Sequence, residues 1–257
     1  MGVFNIDDET GDEFAARCQG GRVVTYSAKK NDATFVARDI ALHSDGVSFF
    51  LVTQGDLCRA EVSTPGKFTV YNVTAAVAAL YSVGLPFGEI TSHLKDLKNV
   101  DGRAQVIATE KDFTVMLDYA HTPDALENIL RTVCSYAEGR VITLFGCGGD
   151  RDATKRPEMG RIASREANIA IFTSDNPRTE DPEKILDQVV AGAEAGAQTL
   201  RISDRAQAIR TAVMLAKAGD IILIAGKGHE DYQIIGTEKI HFDDREQVGK
   251  AFKELGK

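Results

Sequence analysis

The stretch FTVMLDYAHTPDALENIL, residues 113–130, decides the fold class of the second half of the chain. Its first residues form a continuous apolar run, which is typical of a strand buried on both faces of a sheet. Thr122 and Pro123 then suit the cap and the first position of a helix, on which Leu126 and Leu130 share one face. A buried strand that leads directly into an amphipathic helix is the repeating unit of a parallel α/β sheet.

The same alternation of strand and helix continues along the rest of the chain. Asp181-Pro182 and Asp204 each precede a run with helical spacing, and Gln207 completes a capping-box spacing with Asp204, so helices are predicted to start there. Further elements are predicted as strands at 141–147, 169–174, 199–203 and 220–226, and as a helix at 157–166. The sequence therefore predicts an α/β fold with a mostly parallel sheet flanked by helices on both faces.

The first hundred residues follow another pattern. Alternating β-branched residues predict short strands there, and helical spacing predicts two helices after Pro65-Gly66. The strands fall at 22–28, 33–42, 46–53 and 57–63, with turns at 30–32 and 44–46, and the helices at about 69–83 and 86–97. The pattern changes near Val100-Asp101-Gly102, which predicts one domain of residues 1–100 and another of residues 101–257. The opening VFNIDDE is typical of the end of a strand and its loop, so we expect the chain to be part of a longer protein.

Composition excludes several classes of protein. The 257 residues are 43% hydrophobic and 26% charged, as in soluble globular proteins. A net charge of −8 argues against a nucleic-acid or anionic-membrane partner, although local arginines could still bind a small anion. Four scattered cysteines without a C-x-x-C pair predict a reducing compartment, here the cytoplasm, and no apolar stretch is long enough to span a membrane.

Polar residues follow each predicted strand of the second half. In parallel sheets, ligands bind beyond the carboxyl ends of the strands, so these residues are the candidate site. They are Asp118, Tyr119, His121 and Asp124, then GCGGDRD (146–152), then DNPR (175–178), and finally AGKGHEDYQ (225–233) with Lys227, His229 and Glu230. Their concentration at one edge predicts a binding site there.

Each of these signals also has a structural explanation. A glycine-rich turn can be only a tight turn, and His121 or His229 can be a hydrogen-bonded structural residue. Neither G-x-G-x-x-G nor G-x-x-x-x-G-K-[ST] is present, so neither a nicotinamide site nor a P-loop is predicted, and no spacing suggests a metal site. Arg151 and Arg178 lack a matching run of acids, which favours recognition of a carboxylate or phosphate. Asn72 shares a helix face with small residues, which suits either close helix packing or contact with a flat ligand.

Six motifs together resemble the Mur ligase family over nearly the whole chain, most closely its MurE branch. They are PGKFTVYNVTAAVAAL (65–80), DGR (101–103), LDYAHTPDALENIL (117–130), FGCGGDRDATKRPEMG (145–160), TSDNPRTEDP (173–182) and AGKGHEDYQ (225–233). The resemblance implies an ATP-dependent ligase of peptidoglycan synthesis that adds meso-diaminopimelate to UDP-N-acetylmuramoyl-L-alanyl-D-glutamate. It implies that residues 1–100 are the tail of an α/β ATPase central domain and that residues 101–257 are the Rossmann-like carboxyl-terminal domain.

The same resemblance implies roles for individual residues. Asn72 would lie against adenine, Arg103 near the ATP phosphates, Asp118 on the ribose and His121 on the ATP side, with Arg103 and His121 as catalytic candidates. The amino-acid pocket would comprise Arg151, Asp175, Asn176, Pro177, Arg178, Gly226 and Glu230. Within it, Arg178 would hold the distal carboxylate of diaminopimelate. The P-loop and most ligands of Mg²⁺ would lie in an upstream half.

Two features qualify this prediction. The first asparagine of the family's helix motif is replaced by Thr69, and the P-loop is missing, so we expect the chain alone to be inactive. Two alternatives remain open: a free-standing amino-acid-binding module without catalysis, and a sister ligase that adds L-lysine, against which the DNPR motif argues.

Overall fold

Two sheets, each with its own apolar core, divide the chain into the units Met1–Asn99 and Val100–Lys257. The computed structural model describes residues 1–43, 45–98, 100–107, 109 and 111–256. Among the described helices, none combines the length and apolar character needed to cross a bilayer.

The first unit is a five-stranded sheet covered by helices. Its elements are β1 (Gly2–Asn5), α1 (Gly11–Arg17), β2 (Val23–Ser27), β3 (Phe35–His43), β4 (Gly46–Thr53), β5 (Asp56–Val62), α2 (Lys67–Ser82) and α3 (Phe87–Ser92), followed by a short 3₁₀ helix (Leu94–Asp96). The strands lie in sequence order; β1, β2 and β3 are parallel, whereas β3, β4 and β5 are antiparallel. Phe35, Phe49 and Leu51 pack with Val70 and Val77 of α2 in its core.

The strands and the first long helix predicted for this unit are confirmed. The second predicted helix, 86–97, is wrong as a single element, because α3 ends at Ser92 and a 3₁₀ turn follows. The Thr91 and Ser92 hydroxyls donate to the carbonyls of Phe87 and Glu89, and such local bonds compete with helix continuation. The predicted turn at 44–46 lies partly outside the described residues, since Ser44 is not among them.

The second unit confirms the predicted fold class, an α/β sheet that is mostly parallel. Its elements are β6 (Gln105–Ile107), β7 (Thr114–Asp118), α4 (Pro123–Cys134), β8 (Val141–Phe145), α5 (Lys155–Glu166), β9 (Ile169–Phe172), α6 (Pro182–Val190), β10 (Thr199–Arg201), α7 (Arg205–Leu215), β11 (Ile221–Ala225), β12 (Tyr232–Ile235), β13 (Glu238–His241) and α8 (Asp244–Leu255). The six-stranded sheet has the order β10-β9-β8-β11-β7-β6, and only β6 is antiparallel to its neighbour.

Helices cover both faces of this sheet. Successive strand residues point to opposite faces, and Val115 and Leu117 pack in one cluster with residues of α7 and α8. Met116 points the other way, where the Tyr136 hydroxyl after α4 lies 4.0 Å from its sulfur atom. The predicted helix starts are also confirmed, because Thr122, Asp181 and Asp204 each accept a backbone N–H with their side chains.

Strand order creates a crevice at the carboxyl edge of the sheet. The strands β7, β8 and β9 lead into α4, α5 and α6, which pack against one another in turn. The strand β11 lies between β7 and β8 but leads towards α8, which packs with α7 on the opposite face. Loops that leave neighbouring strands towards opposite faces open a crevice between them, and this is where ligands bind in such sheets.

Candidate functional site

Four loops meet at the carboxyl edge of the second sheet. They follow β7, β8, β9 and β11, as the sequence analysis expected. Backbone hydrogen bonds join them: Gly226 N–H donates to the Asp118 carbonyl at 3.1 Å, and Gly149 N–H donates to the Asn176 carbonyl at 2.9 Å. The polar residues of these loops therefore share one small region.

An ion pair between a buried arginine and a partly exposed glutamate joins the loop after β8 to the loop after β9. The Arg156 guanidinium, 1% exposed, donates to both carboxylate oxygens of Glu180 at 2.8 and 2.9 Å. These bonds hold the pKa of the Glu180 carboxyl below its usual range. Glu180 also accepts the Asp150 N–H, while the Asp150 carboxylate accepts from the Thr179 hydroxyl at 2.9 Å. The segment that carries Arg178 is thus held rigidly beside the segment that carries Arg151.

Arg178 has an unusual backbone and an unpaired charge. Its φ is +52°, and its N–H and carbonyl bond to Ile234 and Gly236, at 3.0 and 2.7 Å. One guanidinium nitrogen donates to the Gly149 carbonyl at 2.8 Å. Within the part of the chain that the structure describes, no carboxylate forms an ion pair with Arg178. The half-buried guanidinium is therefore available to an anion.

The side chains of Arg151 and Arg178 both lie close to Gly148. A Cβ built on Gly148 would be 3.0 Å from the Arg178 Nη1 atom and 3.8 Å from the Arg151 Cγ atom. The exposed Arg151 guanidinium donates to the Asp150 carbonyl at 3.0 Å, and among described residues it too has no carboxylate partner. The guanidinium of Arg178 and the nearby side chain of Arg151 could together bind a carboxylate or a phosphate.

Acidic and amide groups lie next to these arginines. The Asn176 side-chain oxygen accepts from Lys227 Nζ and from Ile234 N–H, both at 3.0 Å, and its nitrogen donates to Glu230 at 3.0 Å. The Asp175 Oδ1 atom lies 3.2 Å from Lys227 Nζ but without the alignment of a hydrogen bond. This acidic side of the site suits an ammonium group.

Gly226 and Pro177 shape the backbone around Asp175. Gly226 has a φ of +109°, and a Cβ there would lie 3.3 Å from the Asp175 Oδ2 atom. Pro177 is buried, and its carbonyl accepts from Glu180 N–H at 3.1 Å. All seven residues predicted for the amino-acid pocket therefore come together, whereas their binding roles stay predictions.

Asp118 joins two backbone segments through its carboxylate, a structural role that was not predicted from the sequence. Its two carboxylate oxygens accept from the backbone N–H groups of Ala104 and Ala120, both at 2.8 Å. Burial raises the pKa of this carboxyl, and the two N–H groups and Arg103 only partly oppose the shift. A ribose hydroxyl would have to use the remaining lone pairs, so the predicted contact stays a prediction.

Tyr119 connects the predicted ATP side to the acidic side. The Arg103 guanidinium lies 4.7 Å from its ring centroid, and the rings of His121 and His229 lie at 4.7 and 5.5 Å. Its hydroxyl is 3.5 Å from Glu230 Oε1. His121 is exposed, and its Nδ1 lies 2.8 Å from the Tyr119 carbonyl. Tyr119 was predicted to lie at the carboxyl edge of the sheet, but its contacts with Arg103 and Glu230 were not predicted.

Asn72 belongs to the first unit and is described there by itself. It is exposed on α2, and the small residues at 75, 76 and 79 lie on the same partly or fully exposed face. Packing against the unit's own sheet does not explain these residues. The adenine contact stays a prediction.

The described residues contain no cluster of three or more His, Cys, Asp or Glu side chains that could hold a metal ion. Cys147, next to Gly146 and Gly148, is buried, and burial raises the pKa of its thiol to about 12. The site is built for binding through charge and hydrogen bonds.

Models of known protein families match residues in both units. The model of the Mur ligase middle domain matches residues 1–80, and that of the Mur ligase glutamate ligase domain matches residues 102–228. The UDP-N-acetylmuramoyl-L-alanyl-D-glutamate–2,6-diaminopimelate ligase of Clostridioides difficile (strain 630) is 44% identical over 98% of this chain and 53% of its own length. The ligase of the same description from Bacillus velezensis is 48% identical over 99% of this chain and 51% of its own. The chain thus spans about half the length of the curated relatives it matches.

Solved structures have the same fold. A structure described as UDP-N-acetylmuramoyl-L-alanyl-D-glutamate–2,6-diaminopimelate ligase superposes with a TM-score of 0.71 at 38% identity, over 99% of this chain and 53% of that one. The MurF ligase of Thermotoga maritima in complex with ADP gives 0.66 at 14% identity, over 98% and 52%. With domain models matched in both units and relatives above 40% identity along almost its whole length, this chain belongs to the Mur ligase family.

Proposed function

We propose that this chain is the carboxyl-terminal part of an ATP-dependent ligase that adds meso-diaminopimelate to UDP-N-acetylmuramoyl-L-alanyl-D-glutamate in peptidoglycan synthesis. One observation carries the proposal: Arg178, without an ion-pair partner among described residues, lies beside Arg151 and directly follows the segment Asp175-Asn176-Pro177, which carries an acid. The printed descriptions of the relatives name the same amino acid.

The geometry suits the distal end of diaminopimelate. That end carries a carboxylate and an ammonium group, whereas the side chain of lysine ends in an ammonium group alone. A planar guanidinium can bind the carboxylate through two parallel hydrogen bonds. Asp175 and Glu230, next to Asn176 and Lys227, offer acceptors to an ammonium group. L-Lysine would leave the Arg178 guanidinium without a carboxylate and would place its own side-chain ammonium group close to that guanidinium.

The reaction that we propose forms an amide through an acyl phosphate. ATP transfers its γ-phosphoryl group to the D-glutamyl γ-carboxylate and leaves as ADP. The diaminopimelate amine attacks the acyl carbon, and the tetrahedral intermediate expels phosphate as the amide forms. The residues of this chain bind and orient the amino acid, and Arg103 contributes positive charge near the phosphates. Bound Mg²⁺ would neutralise phosphate charge, with its ligands mostly upstream of this chain.

The two units then take different parts in the reaction. We assign residues 1–100 to the end of the ATPase central domain, with Asn72 against adenine, and residues 101–257 to the amino-acid-binding domain. Asp118 and His121 would face the nucleotide side. The four free cysteines suit a reducing compartment, and we place the protein in the cytoplasm, where ATP and the nucleotide substrate would be available.

The two alternatives are less well supported. A ligase for L-lysine would not explain why Arg178, beside Arg151, has no carboxylate partner among the described residues, because L-lysine has no distal carboxylate to bind it. A free-standing binding module gives no reason for a match that continues through two successive Mur ligase domains.

The direct test is an assay of phosphate release by the complete ligase, meaning this chain together with the upstream half that its relatives carry. We expect phosphate release that requires ATP, the nucleotide substrate and meso-diaminopimelate. The kcat/KM for L-lysine should be lower by about 10⁴-fold, as in sites built to bind a polar group that the analogue lacks. The 257-residue chain alone should show no turnover, because it has no P-loop. Equal use of L-lysine would contradict the proposal, as would ATP turnover by the chain alone.

A further inference from the structure

Lys227 is a buried cation at the centre of the acidic side, and the proposed function gives it no part. The residue is 0% exposed. Its Nζ atom lies 2.6 Å from the Tyr232 carbonyl and 3.0 Å from Asn176 Oδ1. The carboxylates of Asp175 and Glu230 lie at 3.2 and 3.7 Å. A lysine without such partners would be costly to bury in its charged form.

These contacts leave Lys227 nothing to offer a ligand. An ammonium group has three N–H donors and no acceptor. The Tyr232 carbonyl and the Asn176 oxygen take two of them, and the two carboxylates surround the third. Lys227 therefore acts on a ligand only through the groups that it holds.

The first of those groups is the Asn176 amide. Its oxygen has two lone pairs, and Lys227 Nζ and Ile234 N–H occupy both. The amide nitrogen must then point the other way, where it donates to Glu230 Oε2 at 3.0 Å. Lys227 and the Ile234 N–H together determine which end of the amide faces Glu230.

The second group is the pair of carboxylates. Asn176 and Lys227 engage the Glu230 Oε2 atom, while Oε1 is left at 3.5 Å from the Tyr119 hydroxyl. Lys227 faces the Asp175 Oδ1 atom, while Oδ2 lies beside Gly226. One oxygen of each acid thus faces Lys227, and among the described residues the other oxygen keeps a lone pair that can accept from a ligand.

We propose that Lys227 is a positioning residue for the amino-acid substrate: it fixes the Asn176 amide and presents one oxygen each of Asp175 and Glu230 to the substrate's ammonium group. This inference rests on the proposed function, since it needs an amino acid in this pocket. It predicts that Lys227 affects binding of the amino acid and leaves binding of the nucleotides unchanged.

The test is Lys227→Met in the complete ligase, with KM measured separately for each substrate. We expect the KM for meso-diaminopimelate to rise by about tenfold or more, as when a charge-assisted hydrogen bond is lost. The KM values for ATP and for the nucleotide substrate should stay within about twofold, because the polar contacts of Lys227 are with groups of the proposed amino-acid pocket and with the Tyr232 carbonyl.

A matched control lies at the opposite edge of the same sheet. Arg140 forms an ion pair with the buried Asp220 at 2.6 Å, next to the amino ends of β8 and β11. Arg140→Met should lower the melting temperature and leave every KM unchanged. If Lys227→Met behaves in the same way, Lys227 is only structural and the proposal is overturned.

A second variant covers the case in which Lys227→Met does not fold. Asn176→Ala removes the side chain that accepts the hydrogen bond of Lys227. It should give the same rise in KM for meso-diaminopimelate alone. An unchanged KM there would overturn the proposal. A wild-type ligase that uses L-lysine as well as meso-diaminopimelate would refute the proposed function instead, whatever the variants do.

Discussion

Replacing Arg178 with alanine is expected to remove the preference of the complete ligase for meso-diaminopimelate over L-lysine. The ratio of the two kcat/KM values should fall by about 10²- to 10⁴-fold, because a site built around a polar partner rejects analogues that lack it by such factors. The loss should come mostly from poorer use of meso-diaminopimelate, whose distal carboxylate would lose its guanidinium. Alanine carries a Cβ as arginine does, so the φ of +52° costs a similar amount in both.

The measurement is the pair of kcat/KM values, with Arg210→Ala as the matched control. Arg210 is half-exposed and pairs with Glu254 at 3.0 Å between α7 and α8, not at the carboxyl edge. Its removal should leave the preference unchanged. If Arg178→Ala also keeps the wild-type preference, selection of meso-diaminopimelate does not depend on binding of its distal carboxylate by Arg178.

Asp244→Asn is expected to give the largest loss of stability in the second unit. Asp244 and Arg205, both almost fully buried, pair at 2.7 and 2.8 Å between α8 and α7. Burial alone would lower the pKa of Arg205, but Asp244 more than offsets this, and the pKa is raised. Neutralising Asp244 leaves a buried guanidinium without its counter-charge, which costs about 3–5 kcal/mol of unfolding free energy. Urea unfolding of the 257-residue chain, followed by circular dichroism, measures this loss.

The control for Asp244→Asn joins the same two helices. Glu254→Gln removes the acid that pairs with Arg210 between α7 and α8, with both side chains substantially exposed. Surface pairs of this kind contribute about 0–1 kcal/mol, because water screens them. Equal losses in the two variants would show that burial of the Arg205 pair does not stabilise the contact between α7 and α8.

The strands and helices from β7 to β11 could be predicted because their signals are local, whereas β6 and α8 were missed. The run VITLFGC gives β8 and the capping residue Asp181 gives α6, and both depend only on neighbours in the sequence. The break after α3 was missed, although hydroxyls at Thr91 and Ser92 were a visible sign. The hairpin formed by the antiparallel strands β12 and β13 was missed as well, since it interrupts the alternation of strand and helix.

That hairpin explains why the form of the site could not be predicted. The residues at the carboxyl edge were found because strand ends gather there. The left-handed backbone of Arg178, however, depends on bonds to Ile234 and Gly236 at the hairpin. In the sequence, Lys227 is only a lysine between two glycines. Its burial depends on Asn176 and Tyr232, and its partner Asn176 lies 51 positions away in the chain.

A crystal structure of the complete ligase with meso-diaminopimelate would show whether Arg178 binds the distal carboxylate of that amino acid. We expect carboxylate oxygens about 2.7–2.9 Å from the guanidinium nitrogens of Arg178, as in charge-assisted pairs. We also expect the neighbouring ammonium group at Asp175 and Glu230. A distal carboxylate bound away from Arg178, with the guanidinium still on the Gly149 carbonyl alone, would refute this role of Arg178.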